Sequence, residues 1–239
     1  MSTSTLGIDE AGRGPLLGPM VLAAVCVTPR AAAALTRLGV RDSKAFGAGL
    51  EAHEARCKLA AAIRDRADSV HLRVVSVEEI DARVANGELN VLEREYAEQL
   101  IAASAPARRI VCDGARLFGP LRERFPTLTA HDHGESHHVS IAAASIIAKV
   151  RREEEWHAIA ARYTPSFGPI AGGGYVNAAT RRFVRAYIER HREPPPELRR
   201  SWPLHFAADL FQGDLPVSPG RAKPAEPPPT ARDSRGSGC

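Results

Sequence analysis

The stretch from Leu6 to Val21, LGIDEAGRGPLLGPMV, decides the fold and organises the rest of the chain. It opens with a short apolar strand signal, Leu6-Gly7-Ile8, and two adjacent carboxylates, Asp9 and Glu10, stand at the strand's end. Gly12-Arg13-Gly14-Pro15 then needs permissive backbone angles and one fixed proline φ. It reads as a tight turn that exposes main-chain N–H groups beside a single guanidinium. A second strand signal follows over Gly18–Val27. An acidic pair at a strand end facing a Gly-Arg-Gly corner reads as a metal cluster next to a phosphate or sugar cradle. Neighbours on a regular strand point to opposite faces, so Glu10 is left to contribute partly through its main chain.

Outward from this block, the length of 239 residues suits one domain of about 150–200 residues plus accessories, large enough to bury a real core. The balance of 32 basic against 28 acidic residues permits a polyanionic partner without requiring one. Distribution says more: seven arginines (181, 182, 185, 190, 192, 199 and 200) against three glutamates between Arg181 and Arg200 concentrate positive charge late in the chain. Cys26, Cys57, Cys112 and Cys239 show no metal spacing and read as reduced thiols of a cytoplasmic protein. The longest apolar runs, Met20–Val27 and Ile141–Ala148, are too short to span a bilayer, so no membrane partner is expected.

Pro29–Leu38 reads as a loop leading into a short alanine-rich helix, and Leu50–Ala67 as a helix. Val70–Val75 is a strand, and Ser76-Val77-Glu78-Glu79 a capped helix start running toward Ala85. Asn90–Ala103 has the apolar spacing of an amphipathic helix packed on a sheet. Strands first and helices after predict an α/β sheet that opens with antiparallel strands and extends through parallel crossovers. Arg109–Asp113 is then an apolar strand ending in a third carboxylate, Asp113, at the end where ligands gather in open α/β sheets. A short strand, Leu128–Ala130, leads into a His-rich loop with His131, His133, His137 and His138, and a long helix starts near Ser140. The Pro165–Gly168 segment stops that helix after Arg162. A basic helix Asn177–His191, three prolines and a short helix Pro203–Phe211 follow, and from 213 to 239 a Pro-rich tail too poor in apolar residues to offset its own ordering.

DEAGRGPLLGPMV resembles the opening signature of ribonuclease HII, the type 2 ribonucleases H. Asp42-Ser43-Lys44, Ser140–Val150 (SIAAASIIAKV) and the end block Leu198–Trp202 are similar to further family blocks. The resemblance covers about residues 5–205. It implies a ribonuclease H-like mixed five-stranded sheet flanked by helices, with a catalytic domain over 1–170 and a C-terminal helical substrate-binding segment over 171–212. The activity implied is metal-dependent endonucleolytic hydrolysis of the RNA strand of RNA/DNA hybrids, and of single ribonucleotides embedded in duplex DNA, leaving 5′-phosphate and 3′-hydroxyl ends. The resemblance further implies a monomer.

The helix block also fixes a register. Counting back ten residues from Ser145 gives Glu135, where the family carries its last acidic ligand, usually aspartate; Asp132 is the nearby competitor. A glutamate there resembles the sister family ribonuclease HIII. The resemblance thus makes Asp9, Glu10, Asp113 and Glu135 the catalytic acids, holding Mg²⁺ or Mn²⁺ as an expected two-metal site. Gly12, Arg13, Gly14, Ser43, Lys44 and Tyr175 become substrate contacts, with the Gly-Arg-Gly backbone reading the ribose 2′-hydroxyl and Tyr175 stacking on a sugar. A helix N-cap at Asp42 or Ser43 accounts for that segment equally well. The lysine and glycine that flank the family's tyrosine are absent around Tyr175, and His137 stands where the family has lysine. The histidines read first as surface or supporting groups, since magnesium and manganese prefer oxygen ligands. Four clustered carboxylates make chemical sense only with a cation, because two such charges 4 Å apart repel by roughly 4 kcal/mol at an effective dielectric of 20. A non-catalytic hybrid-binding protein of the same fold and an enzyme of ribonuclease HIII type both stay open. A P-loop enzyme does not, since GRGPLLGP has no Gly-Lys-Ser/Thr.

Overall fold

In a computed structural model, which describes residues 3–41, 47, 49–134 and 137–210, the chain forms one five-stranded sheet of order β3-β2-β1-β4-β5. The strands are β1 (Thr5–Ala11), β2 (Met20–Val27), β3 (Ser69–Val75), β4 (Arg109–Asp113) and β5 (Leu128–His131). β1 to β3 form an antiparallel meander, and β4 and β5 join parallel to β1. The mixed sheet expected from the order of the elements is therefore present.

Each face is covered by helices whose ends the sequence specifies. Thr28 caps α1 (Pro29–Arg37) with its hydroxyl accepting from Ala31 N at 3.1 Å, and Pro29 sits in the first turn, where a missing N–H costs nothing. Ser76 and Glu79 exchange side-chain and backbone hydrogen bonds in a capping box that starts α3 (Val77–Ala85). α4 (Leu89–Ala103) places Leu92, Tyr96 and Leu100 against Leu6, Ile8 and Cys112 on one face of the sheet. The opposite face packs α1, α2 (Leu50–Arg66) and α6 (Val139–Phe167) against Val21, Ala23 and Val25. α5 (Ala115–Phe118) follows β4 directly. α7 (Ala178–His191) and a final 3₁₀ turn (His205–Leu210) build a third cluster, where Phe183, Val184 and Leu198 meet Leu16, Leu17 and Trp156.

Four boundaries differ from the sequence reading. β1 runs beyond the apolar signal Leu6–Ile8 to Ala11, with Asp9 and Glu10 paired to Ala23 and Leu22 at its end. β2 begins at Met20, because Gly18 is at φ +86° and belongs to the turn. α1 follows its cap at once, with no intervening loop. α6 runs through Pro165 to Phe167 where a stop was expected. Proline there removes one helical N–H. The aromatic packing of Tyr163 and Phe167 on Phe183, with ring centroids 4.9 and 5.5 Å apart, offsets that loss, and Gly168 at φ +75° ends the helix instead.

One close approach sets the height of α6 above the sheet: a Cβ at Gly7 would lie 2.1 Å from the carbonyl carbon of Ser140. Gly7→Ala is expected to force that backbone apart and cost at least about 1–3 kcal/mol, read as a fall in thermal midpoint of several degrees. An unchanged midpoint would show that the helix does not rest on this strand.

Candidate active site

The parallel register pairs Ile8 with Cys112, which sets Asp9 beside Asp113 at the carboxyl ends of neighbouring strands, about 4.8 Å apart in backbone spacing. Both belong to the sheet face covered by α6, since Leu6 and Ile8 on β1, and Ile110 and Cys112 on β4, are buried on the other face. Asp9 is 6 % exposed; its Oδ1 accepts from the N–H of Glu10 at 2.8 Å, and it is hydrogen-bonded to Ser145 of α6. Asp113 Oδ1 accepts from Gly134 N at 2.7 Å. Glu10 points to the α4 side, as strand alternation requires. It still lines the same cleft, because the cleft straddles the strand end. That cleft, of about 470 Å³, is bordered by Asp9, Glu10, Asp113, Gly12-Arg13-Gly14 and Tyr175.

Burial pushes the Asp9 carboxyl well above the usual carboxylate range, and the charges of Glu10 and Asp113 push it further. Glu10 is also raised by burial, against the pull of the Arg13 guanidinium. Three acids in one cleft thus destabilise one another's charged forms.

The structure brings Asp9, Glu10, Asp113, Gly12, Arg13, Gly14 and Tyr175 together. Glu135, Ser43, Lys44 and the tail from 213 onward lie outside the described residues. Asp132, the rival for the fourth position, is engaged elsewhere: its Oδ1 accepts from Ala115 N at 2.8 Å at the start of α5. The histidines also lie apart from the cleft. His131 and His138 contact each other with ring centroids 5.4 Å apart, and burial holds His138 below the ordinary histidine range. Among the described residues no three His, Cys, Asp or Glu groups converge tightly enough to encircle an ion by themselves. Tyr175 is 50 % exposed, and a side chain begun at Gly14 would come 3.3 Å from its ring, so its face is open beside the turn.

Several residues that shape the site were not singled out from sequence. Lys149 lines the cleft one helical turn after Ser145, on the same face of α6, a spacing that the helix period makes readable. Glu93 on α4 is fully buried, with Oε2 2.7 Å from Arg13 Nη1, while Asn90 Oδ1 accepts from Arg13 Nη2 at 2.7 Å. The Glu93 contact is an ion pair without hydrogen-bond geometry, and among the described residues neither of its oxygens has a hydrogen-bond donor. Burial outweighs the Arg13 charge and pushes the Glu93 carboxyl up to about 8. Arg199, which the sequence groups with surface charge, is fully buried; Arg152 is 4 % exposed. Burial pushes these guanidinium groups down to about 9 and about 10, so both remain charged at neutral pH.

A mixed sheet with acids at the ends of two adjacent parallel strands, beside a glycine turn, defines a nuclease of the ribonuclease H-like class. The family model for ribonuclease HII matches residues 6–205, and the chain belongs to that family and is a ribonuclease H enzyme. It is 35 % identical over 205 residues to the ribonuclease HII of Pyrococcus furiosus, covering 82 % of this chain and 87 % of the relative. The enzyme of Haloarcula marismortui is 37 % identical over 206 residues, with 82 % and 90 % covered. The ribonuclease H2 structure from Pyrococcus horikoshii superposes with a TM-score of 0.71 at 28 % identity, covering 87 % of this chain and 97 % of that one. Bst-RNase HIII in complex with Mn²⁺ gives 0.66 at 27 % identity, with 86 % and 68 % covered.

The Glu93 carboxyl gives a pH test. Its folded value lies above the ordinary 4.5, so the native state keeps a proton that the unfolded chain releases, and stability falls as pH rises from about 5 to about 8. Glu93→Gln removes that dependence. The thermal midpoint of the variant relative to wild type should therefore climb by several degrees between pH 5 and pH 8.5, and a gap constant across that range would refute the buried proton.

Proposed function

We propose that Asp9, Glu10, Asp113 and Glu135 hold divalent metal, Mg²⁺ or Mn²⁺, and that the chain uses it to hydrolyse the RNA strand of RNA/DNA hybrids and single ribonucleotides within duplex DNA. The observation that carries this reading is the Asp9–Asp113 pair: two oxygen-donor carboxylates side by side at the ends of adjacent parallel strands, whose charges repel. Such a set suits a hard cation, since magnesium is commonly bound through only one or two carboxylates, with water and substrate phosphate completing its octahedron. A bound pair of ions would activate water and stabilise the leaving oxygen, which yields 5′-phosphate and 3′-hydroxyl ends.

The protein's own groups do the rest. Ser145 and the Glu10 amide fix the Asp9 carboxylate, and the Gly134 amide fixes Asp113, so both present oxygens to the cleft. Glu135 directly follows Gly134 in the chain, which supports it over Asp132, whose carboxylate already binds the start of α5. Lys149 lines the same cleft as the acids, a cation suited to a backbone phosphate. The open face of Tyr175 beside Gly14 suits stacking on a ribose, and the Gly12–Gly14 backbone the 2′-hydroxyl that separates RNA from DNA. The segment 171–212 we assign to substrate binding, through α7 and Tyr175, next to a catalytic unit over 1–170.

Asp113→Asn should leave the thermal midpoint close to wild type and lower cleavage of a DNA–RNA–DNA duplex, in Mg²⁺ or Mn²⁺, by more than the 10–100-fold typical of supporting residues. Near-normal cleavage by that variant would overturn the metal assignment. In the same assay Glu135→Gln should match Asp113→Asn, whereas Asp132→Asn should stay within about threefold of wild type. The reverse order would move the fourth ligand to Asp132.

A further inference from the structure

The glycine turn is held from behind by two buried guanidinium groups. Arg199 donates from Nε to Gly18 O at 2.9 Å, from Nη1 to Arg13 O at 2.8 Å and from Nη2 to Gly12 O at 2.6 Å. Arg152 donates from Nη2 to Leu17 O at 2.7 Å and to Gly173 O at 3.1 Å, while its Nε has no hydrogen-bond partner among the described residues. Every one of these acceptors is a neutral carbonyl, and among the described residues neither arginine forms an ion pair. Two charges buried behind one short turn, met by carbonyl dipoles and, for Arg199, by the Trp202 ring 5.0 Å away, are costly. Such an arrangement demands something on the other side of the turn that profits from it.

Peptide geometry says what that is. In a planar trans peptide the N–H points opposite to the C=O. With the carbonyls of Gly12 and Arg13 drawn inward onto Arg199, the N–H groups of Arg13 and Gly14 are turned outward, at residues that border the cleft. Neither N–H meets a protein acceptor among the described residues, whereas Gly18 N donates inward to Glu197 O at 2.8 Å. A cation on the carbonyl also polarises the peptide and strengthens its N–H as a donor. The turn has no freedom to reverse: a Cβ at Gly12 would sit 2.6 Å from Arg152 Nε, and Leu17 bridges Leu198.

We propose that Arg199, backed by Arg152, is the positioning residue for ribonucleotide recognition: it aims the Arg13 and Gly14 amides at the ribose 2′-oxygen and the adjoining phosphate, and polarises them. This rests on the reading that the cleft takes a ribonucleotide-bearing strand. The end block of the sequence therefore acts on specificity without touching substrate.

The test is equilibrium binding in EDTA, where no cleavage occurs, by fluorescence anisotropy on two duplexes of one sequence, one carrying a single ribonucleotide and one all DNA. Wild type should prefer the ribonucleotide duplex. Arg199→Met should cut that preference about tenfold while changing affinity for the all-DNA duplex less than threefold, and Arg199→Lys should restore part of it. An equal loss on both duplexes, or an unaltered preference in a folded Arg199→Met, overturns the proposal. Should Arg199→Met fail to fold, the amide resonances of wild type decide. Those of Arg13 and Gly14 should shift with the ribonucleotide duplex and not with all DNA, while Gly18 stays fixed; the proposal falls if the two amides do not move. A wild-type protein with no preference at all would instead strike the ribonucleotide reading itself.

Discussion

Everything in this molecule depends on the parallel pairing of β1 with β4. Antiparallel neighbours are easily reached by a short turn, but a parallel neighbour requires a long excursion. Here the chain travels from Ala11 to Arg109, through two more strands and four helices, before β4 lies down beside β1. That register, Thr5 opposite Arg109 and Ile8 opposite Cys112, is what turns two acids distant in sequence into neighbours. A slip of one residue would put Asp113 on the α4 face among Leu6 and Ile8 and leave Asp9 without its partner. The apolar cluster on that face excludes this, since it would take a carboxylate in among Leu6, Ile8 and Cys112.

Electrostatics around the cleft is arranged in layers. The acids line the cleft, and Glu10 and Asp113 raise the proton affinity of Asp9; Arg13 and Lys149 border the same cleft; Arg152 and Arg199 donate to the carbonyls behind the turn, with the Trp202 ring 5.0 Å from Arg199. Glu93 and Asn90, on successive turns of α4, hold the Arg13 guanidinium by its two terminal nitrogens, and from there its charge still acts on Glu10. The result is a site whose charge alternates in sign over short distances.

Much of this was legible in the residues. Strand and helix order, the capping box at Ser76 and the carboxylates at the ends of two strands follow from local rules, because caps and periodicities act within a few residues. What sequence reasoning missed is non-local. Nothing near Arg199 in the chain marks it as buried; its acceptors are the carbonyls of residues nearly the whole fold away. Glu93 looks like any polar residue of an amphipathic helix, and only the three-dimensional approach of Arg13 reveals its use. The helix stop at Pro165 was misjudged for the same reason, since the aromatic contacts that carry the helix past it come from α7.

The bridge between Leu17 and Leu198, with Arg199 N donating to Leu16 O at 2.9 Å, has a consequence for the order of assembly. A nascent chain emerging from the ribosome can pair its first three strands early, yet the corner between the first two is left without its backing until residue 199 has been synthesised and released. Maturation of that corner is thus a late event dominated by loop closure across most of the polypeptide. During synthesis the chain can hold part of its sheet before the corner between β1 and β2 gains its backing.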